Sequence, residues 1–297
     1  SANKPIYQLI GGKVHEKLRS YTYLYPVDKN GLHDYEDPDL GVECATEYKN
    51  KGFTAIKFDP AGPYSAYSGH QISLARLKHC ENYCGRIKDA VGDDCDILIG
   101  THGQMTPASA IRLAKRLEQF DPLWFEEPVP PGQSSAMAEV AKKTSIPVAT
   151  GERLTTKYEF FDVLKSKAAT IIQMNLGRVG GILEAKKIAS LAEVFYAQIA
   201  PHLYNGPVGA AASIQLATAT PNFLIQESIQ TWGGFYEEIL TEPIIWREGY
   251  IIPSTKPGLG IELNKKVVEA SSPYKGKKLH ISMNPKPYSV GDDLSDL

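Results

Sequence analysis

The sequence lacks the features of a membrane protein, a secreted protein and a polyanion-binding protein. No apolar run approaches the roughly 20 residues that a membrane-spanning helix requires, and the opening SANKPIYQLIGGK lacks the pattern of a signal peptide. Its 32 Lys and Arg balance 34 Asp and Glu, so nothing favours binding to nucleic acid or to an anionic membrane. We therefore expect a cytoplasmic protein whose partners include neither nucleic acid nor a membrane.

Cysteine is scarce, and its four positions do not follow a metal-binding pattern. No CxxC pair occurs among Cys44, Cys80, Cys84 and Cys95, and the middle two lie one helical turn apart in LARLKHCENYCGRIKDAV. A metal cluster and disulfides are the alternatives. Free thiols in a reducing compartment fit this usage better.

The sequence does contain a regular alternation of short β-rich runs and longer amphipathic segments. Apolar residues recur every three or four positions in segments such as 108–120, 136–144, 157–168 and 183–195, as in helices that bury one face. Eight strands mostly separated by helices predict an α/β protein with a TIM-like (β/α)7β barrel. The predicted strands are RSYTYLY (19–25), FTAIKFD (53–59), DILIG (96–100), PLWFEE (122–127), PVATGE (147–152), TIIQMN (170–175), AQIAPH (197–202) and FLIQES (223–228).

A polar residue ends or follows each of the later strands. These positions recur at roughly the length of one strand, one helix and two short loops. In a barrel the carboxyl ends of the strands meet at one mouth, where such enzymes keep their active sites. We therefore expect a common site formed by the residues at Gly100 with His102, Glu126, Glu152, Asn175, His202 and Glu227.

Two glutamates on adjacent predicted strands are candidate metal ligands. Glu126 and Glu152 end the fourth and fifth strands, so their carboxylates can converge on one hard cation. Magnesium prefers a few carboxylate oxygens together with water and substrate oxygens. We expect Mg²⁺ at this pair; the alternative is that each glutamate forms a surface ion pair, for example with Arg153.

Lys57 is a candidate for contact with the substrate. It ends the second predicted strand, and Asp59 lies two residues further on, so both side chains can point into the mouth. A lysine there could neutralise a substrate carboxylate, or act as a base if a neighbouring cation lowers its pKa. A simple Lys57–Asp59 salt bridge is the alternative.

Two histidines and a third glutamate complete the predicted site. His102 and His202 follow the third and seventh strands and would face a ligand from different sides, which suits one as acid and the other as base. Structural, hydrogen-bonded histidines are the alternative. Glu227, on the eighth strand, could hydrogen-bond a developing oxyanion if it is protonated.

The chain resembles the mandelate racemase subgroup of the enolase superfamily along essentially its whole length. The resemblance rests on GFTAIKFDP, PLWFEEPVPP, IPVATGERL, NLGRVGGILEAKKIA, IAPHLYNGP and TKPGLGIEL, which match in order and spacing. It implies an N-terminal α+β capping domain that this chain lacks, with 1–18 a remnant that follows it. Residues 19–240 would form the catalytic barrel, and 241–297 would pack as irregular structure on cap or barrel. We also expect a homo-oligomer. The segment 231–238 (TWGGFYEE) is compatible with its contacts, and packing in the core or in a loop is the alternative for that segment.

The position of His102 resembles that in sugar-acid dehydratases, such as galactonate and mannonate dehydratase. The resemblance implies that Mg²⁺ polarises the carboxylate of a small sugar acid, an aldonate or aldarate. His202 would remove the α-proton, and the metal, Lys57 and Glu227 would stabilise the enediolate. His102 would protonate the departing β-hydroxyl, giving a 2-keto-3-deoxy acid.

The chain departs from the family pattern at three points. Gly100 replaces the first metal-binding aspartate, which leaves Thr101, Asp59, water or nothing as the third ligand. Asn175 replaces the aspartate that pairs with the seventh-strand histidine; it could accept a hydrogen bond from His202 but could not stabilise an imidazolium as a carboxylate does. The family's KxK motif is reduced to KFD at 57–59, which makes racemisation by two opposed bases less favourable.

Two alternatives to dehydration stay open. The first is a racemase, epimerase or cycloisomerase that uses the same enediolate. The second is a catalytically impaired homologue that binds acid sugars without turning them over.

Overall fold

The computed structural model describes residues 2–62 and 69–271. Each of the eight predicted runs overlaps one of the first eight strands, and 246–251 adds a short hairpin. The strands are β1 Leu18–Tyr23, β2 Ala55–Phe58, β3 Asp96–Gly100, β4 Trp124–Glu126, β5 Val148–Thr150, β6 Ile171–Ile172, β7 Gln198–Ile199, β8 Gln226–Ser228, β9 Trp246–Arg247 and β10 Tyr250–Ile251.

Helices follow the strands in alternation, as the periodicity predicts. Local sequence begins several of them: Thr106 accepts a hydrogen bond from the Ser109 amide, and Thr156 and Glu159 form a reciprocal capping box. The helices are α1 Ile6–Leu9, α2 Pro38–Asn50, α3 Leu74–Val91, α4 Pro107–Leu117, α5 Ser134–Ala141, α6 Lys157–Lys165, α7 Leu176–Val179, α8 Ile182–Val194, α9 Pro207–Thr218, α10 Phe235–Glu238 and α11 Lys265–Ser271, with a 3-10 turn at Glu118–Phe120.

Strands β1 to β8 pair in parallel. The order runs β7-β6-β5-β4-β3-β2-β1, and β8 pairs with the other side of β1. A parallel bridge between Ile199 and Phe223 joins β7 to the segment that leads into β8. The register places Gly100 opposite Glu126 on neighbouring strands, which decides the geometry of the site.

Apolar side chains form two buried clusters, one on each face of the sheet. The larger packs the strands against the helices and includes all four cysteines, which are free, as predicted. The smaller takes one residue from each of the eight predicted runs or its edge: Tyr21, Ala55, Leu98, Trp124, Ala149, Ile171, Ala200 and Ile225. Within the described ranges, no helix is long and apolar enough to cross a membrane.

The segment after residue 240 is more regular than expected. Strands β9 and β10 pair antiparallel, and β10 pairs with β1 through Leu18 and Arg19. Alternating residues of this segment reach the core, with Ile251 fully buried. In the segment 231–238, for which oligomer contacts and core or loop packing are the two expectations, Trp232 is buried and Phe235 is exposed. Residues 272–297, the rest of the predicted C-terminal segment, lie outside the described residues.

Candidate active site

A cavity of about 1000 Å³ lies at the carboxyl ends of the parallel strands. It contains six of the seven predicted site residues, while Glu126 lies buried beneath it. Three tyrosines of the first strand and the loop after it, and Arg178, were not predicted to be there. The lining side chains used below are Lys57, Asp59, His102, Glu152, Asn175, Arg178, His202 and Glu227 with Tyr23, Tyr25 and Tyr35.

Lys57 lies between two buried carboxylates. Its Nζ is 3.0 Å from Glu126 Oε1, 3.3 Å from Glu126 Oε2 and 3.0 Å from Glu227 Oε1. All three side chains are less than a tenth exposed. Burial alone would lower the pKa of Lys57, but the two carboxylates raise it well above its ordinary value, so the group stays an ammonium.

Two other donors hold Glu126 in place. Trp124 Nε1 donates to Glu126 Oε2 at 3.0 Å, and Gln173 Nε2 donates to the same oxygen at 2.7 Å. Trp124 lies two residues before Glu126 on β4, and Gln173 lies two residues before Asn175, so strand alternation turns each toward the site. That alternation is the sequence signal that could have identified both.

Gly100 makes room for the Lys57 side chain. A Cβ atom at this position would lie 3.2 Å from Lys57 Cδ and 3.4 Å from its Cγ. The lysine stem therefore fills the space where a larger side chain on β3 would stand. The alternative of a Lys57–Asp59 salt bridge is not what forms, because Glu126 and Glu227 hold the ammonium instead.

The side chains at the two expected metal ligands do not fit a divalent cation. Both oxygens of Glu126 already accept from Lys57, and Glu152 Oε2 lies 3.4 Å from His202 Nε2. Gly100 offers no side-chain ligand. Among residues 2–62 and 69–271, no three or more His, Cys, Asp and Glu side chains group as a metal site would require.

His102 is positioned by Asp59. Its Nδ1 lies 3.6 Å from Asp59 Oδ2, and that carboxylate is fixed by the Gln104 side chain and the Ala61 amide, each at 2.8 Å. The backbone of His102 has a φ of 50°, a conformation that costs a non-glycine residue about 1–3 kcal/mol and is found at functional turns. Burial lowers the pKa of His102, but Asp59 outweighs burial, so the pKa is raised.

The hydrogen bond between Asn175 and His202 runs opposite to the expected direction. Asn175 Nδ2 lies 2.9 Å from His202 Nδ1, while its Oδ1 accepts from the Gly177 amide at the start of α7, also at 2.9 Å. The expectation was that Asn175 accepts from the ring, but the helix cap already uses its oxygen. The amide therefore donates, and neutral His202 carries its hydrogen on Nε2.

The other ring nitrogen of His202 faces acidic groups. Nε2 is 3.4 Å from Glu152 Oε2 and 3.9 Å from Glu227 Oε2. Glu227 Oε2 also accepts from the Leu203 amide at 2.6 Å, so this carboxylate is tied to the His202 loop as well as to Lys57. One charged network thus joins the carboxyl ends of β2, β4 and β8 to the loop after β7.

The Asp59–His102 pair generates a pH-dependent prediction. Asp59→Asn removes the charge that opposes burial, so we expect the His102 pKa to fall in nuclear magnetic resonance titrations, whereas Asp93→Asn, at an exposed position, should not change it. Because the native pKa is raised, this pair stabilises the fold at low pH, and the contribution disappears as pH rises through that pKa. An unchanged pKa in Asp59→Asn contradicts this assignment.

The Asn175–His202 contact generates a second prediction, on the tautomer. In the ¹⁵N spectrum of the neutral ring, we expect Nε2 to be protonated, and Asn175→Asp should move the hydrogen to Nδ1, because a carboxylate only accepts. Asn30→Asp makes the same change on an exposed turn and should leave the His202 signals unchanged. Nδ1 protonation in the unmodified protein is the result that overturns this account.

Comparison with known proteins places the chain in a family. A family model described as Enolase C-terminal domain-like matches residues 40–267. D-xylonate dehydratase of Haloferax volcanii is 35% identical over 269 residues, which cover 90% of this chain and 64% of that protein. D-galactonate dehydratase of Xanthomonas euvesicatoria pv. vesicatoria is 31% identical over 277 residues, covering 90% and 68%.

A solved structure gives the same result. The chain superimposes with a TM-score of 0.90 and 67% identity on a protein of Burkholderia SAR-1 described as a mandelate racemase/muconate lactonizing enzyme, covering 98% of this chain and 72% of that one. The family match spans most of the chain, and the fold agrees with that match. The chain therefore belongs to the enolase superfamily, in its mandelate racemase/muconate lactonizing group.

Proposed function

We propose that this chain carries the active site of a sugar-acid dehydratase. Its reaction would remove water from an aldonate or aldarate and yield a 2-keto-3-deoxy acid. The observation that carries the proposal is the pair of histidines in one cavity, each beside a carboxylate: His102 with Asp59 and His202 with Glu152. The sugar-acid dehydratases among its relatives support the choice of reaction, although the chain spans only 64% of the D-xylonate dehydratase.

We infer that the eight parallel strands enclose a TIM-like (β/α)7β barrel. The pairing of β8 with β1 and the bridge from Ile199 to Phe223 support a closed sheet, and the smaller apolar cluster would be its interior. The cavity then occupies the mouth at the carboxyl ends of the strands, where barrel enzymes bind their substrates.

Two permanent cations would bind the acid group of the substrate. Of the described residues that line the cavity, Lys57 and Arg178 carry a positive charge at every physiological pH. The Lys57 ammonium has three N–H donors, so one can reach a substrate oxygen while the others stay on Glu126 and Glu227. The exposed Arg178 side chain reduces the excess of negative charge that the glutamates create.

The proton transfers would take place on opposite sides of the bound acid. His102 donates a proton to the β-hydroxyl, whose C–O bond breaks to release water; its raised pKa favours the protonated form that this step needs. The α-proton goes to the Glu152 carboxylate. His202 cannot accept it at Nε2 in its held tautomer, and instead its Nε2 hydrogen faces Glu152. The resulting enol tautomerises to the 2-keto product.

Replacing the general acid, His102, should slow the proposed dehydration. The protein that contains this chain should remove one water from at least one member of an aldonate and aldarate panel, and His102→Asn should lower kcat about 10²–10⁴-fold because the leaving hydroxyl is no longer protonated. His79→Asn, the same change outside the cavity, should retain the rate. Mass spectrometry of the products measures both.

Two other results would contradict the proposed dehydration. Deuterium exchange at the α-carbon in D₂O without loss of water would instead indicate a racemase, epimerase or cycloisomerase. Binding of acid sugars with neither exchange nor dehydration would indicate a non-catalytic homologue.

A further inference from the structure

We propose that the Lys57 ammonium takes the place of a divalent cation, so that the site binds and processes its sugar acid without magnesium. Members of the enolase superfamily generally use Mg²⁺. The claim about the substrate rests on the proposed function. The claim about the metal concerns Lys57, Gly100, Glu126 and the side chains around them, and it can be tested without any substrate.

Three side chains already donate to Glu126. A carboxylate offers about four lone-pair directions on its two oxygens. Oε2 accepts from Trp124 at 3.0 Å and from Gln173 at 2.7 Å, and Lys57 Nζ lies 3.3 Å away. Oε1 accepts from Lys57 at 3.0 Å. The open direction on Oε1 lies beside the ammonium, so a metal ion bound there would lie next to the Lys57 charge.

The absence of a side chain at Gly100 makes room for Lys57. The register of β3 and β4 puts Gly100 directly opposite Glu126. A carboxylate at position 100 could therefore bind the same metal ion as Glu126. The lysine stem uses this space instead, with Cδ, Cγ and Cε all within 3.6 Å of a hypothetical Cβ at Gly100. Glycine at position 100 therefore removes a metal ligand. It also leaves room for the Lys57 side chain, whose ammonium supplies the positive charge instead.

The charge of Lys57 also disfavours a divalent cation at Glu126. Lys57 already faces two carboxylates, and all three groups are almost inaccessible to solvent. A divalent ion placed at Glu126 beside the ammonium would bring like charges together where water screens them little. The aromatic ring of Tyr21, with its centroid 5.5 Å from Nζ, also favours a bound monovalent cation over a hydrated metal ion.

Glu152, the other expected metal ligand, does not complete a metal site. Glu152 Oε2 lies beside His202 Nε2, and the Asn175 contact keeps that nitrogen protonated in the neutral ring. A protonated ring nitrogen cannot bind a metal ion, because coordination needs its lone pair. One carboxylate alone is a weak ligand set for magnesium.

The test is a titration of the full protein with Mn²⁺, which substitutes for Mg²⁺ and is followed by electron paramagnetic resonance. We expect no saturable binding to the unmodified protein and no change on Glu126→Gln. The double variant Lys57→Ala with Gly100→Asp should gain one saturable Mn²⁺ site, because it restores the carboxylate and removes the competing ammonium. Adding Glu126→Gln to that double variant should abolish the gain.

The outcomes separate the two proposals. One Mn²⁺ bound per unmodified chain, and lost on Glu126→Gln, overturns the inference whatever the enzyme does with sugar acids. Dehydration that persists in EDTA supports it, and dehydration that requires Mg²⁺ overturns it. Absence of both Mn²⁺ binding and dehydration contradicts the proposed function alone. Should the double variant fail to fold, the titration of the unmodified protein still decides the question.

Discussion

The ion pairs of Lys57 with Glu126 and Glu227 are the interaction on which the rest of the site depends. They connect β2 to β4 and β8 beneath the cavity, and all three groups are buried. Removing one partner from such a buried network leaves an uncompensated charge and costs about 3–5 kcal/mol, so these three side chains are fixed together. The positions of Trp124 and Gln173 follow, because both donate to Glu126.

Two departures from the family pattern, Gly100 and Asn175, change the chemistry of the site. Gly100 lets a lysine stem cross the space of an expected metal ligand, and Asn175 places an N–H donor where a carboxylate would accept. In the proposed metal-free site, Gly100 allows the Lys57 ammonium to replace a divalent ion. Asn175 sets the tautomer of His202, so that in the proposed reaction Glu152 is the proton acceptor on that side and His102 is the donor.

The sequence predicts the elements and the members of the site, but not how those members pair. Alternation and helical periodicity locate all eight strands, because those patterns reflect local burial. Strand ends predict which side chains meet, because parallel strands align their carboxyl ends. The partner of Lys57 was not predictable, since Asp59 is closer in sequence while Glu126 and Glu227 are nearer in space. The sense of the Asn175 contact depends on the Gly177 amide, which only the helix start reveals. The β9–β10 hairpin was missed because its strands have two residues each.

The central claim is that an ammonium, not a metal ion, lies between Glu126 and Glu227. Crystals of the protein grown with excess Mn²⁺ and measured above the manganese absorption edge test it most directly. The account predicts continuous density for the Lys57 side chain reaching both carboxylates, with no anomalous peak beside Glu126. An anomalous peak within coordination distance of Glu126 and Glu152, with Lys57 turned away from them, contradicts it.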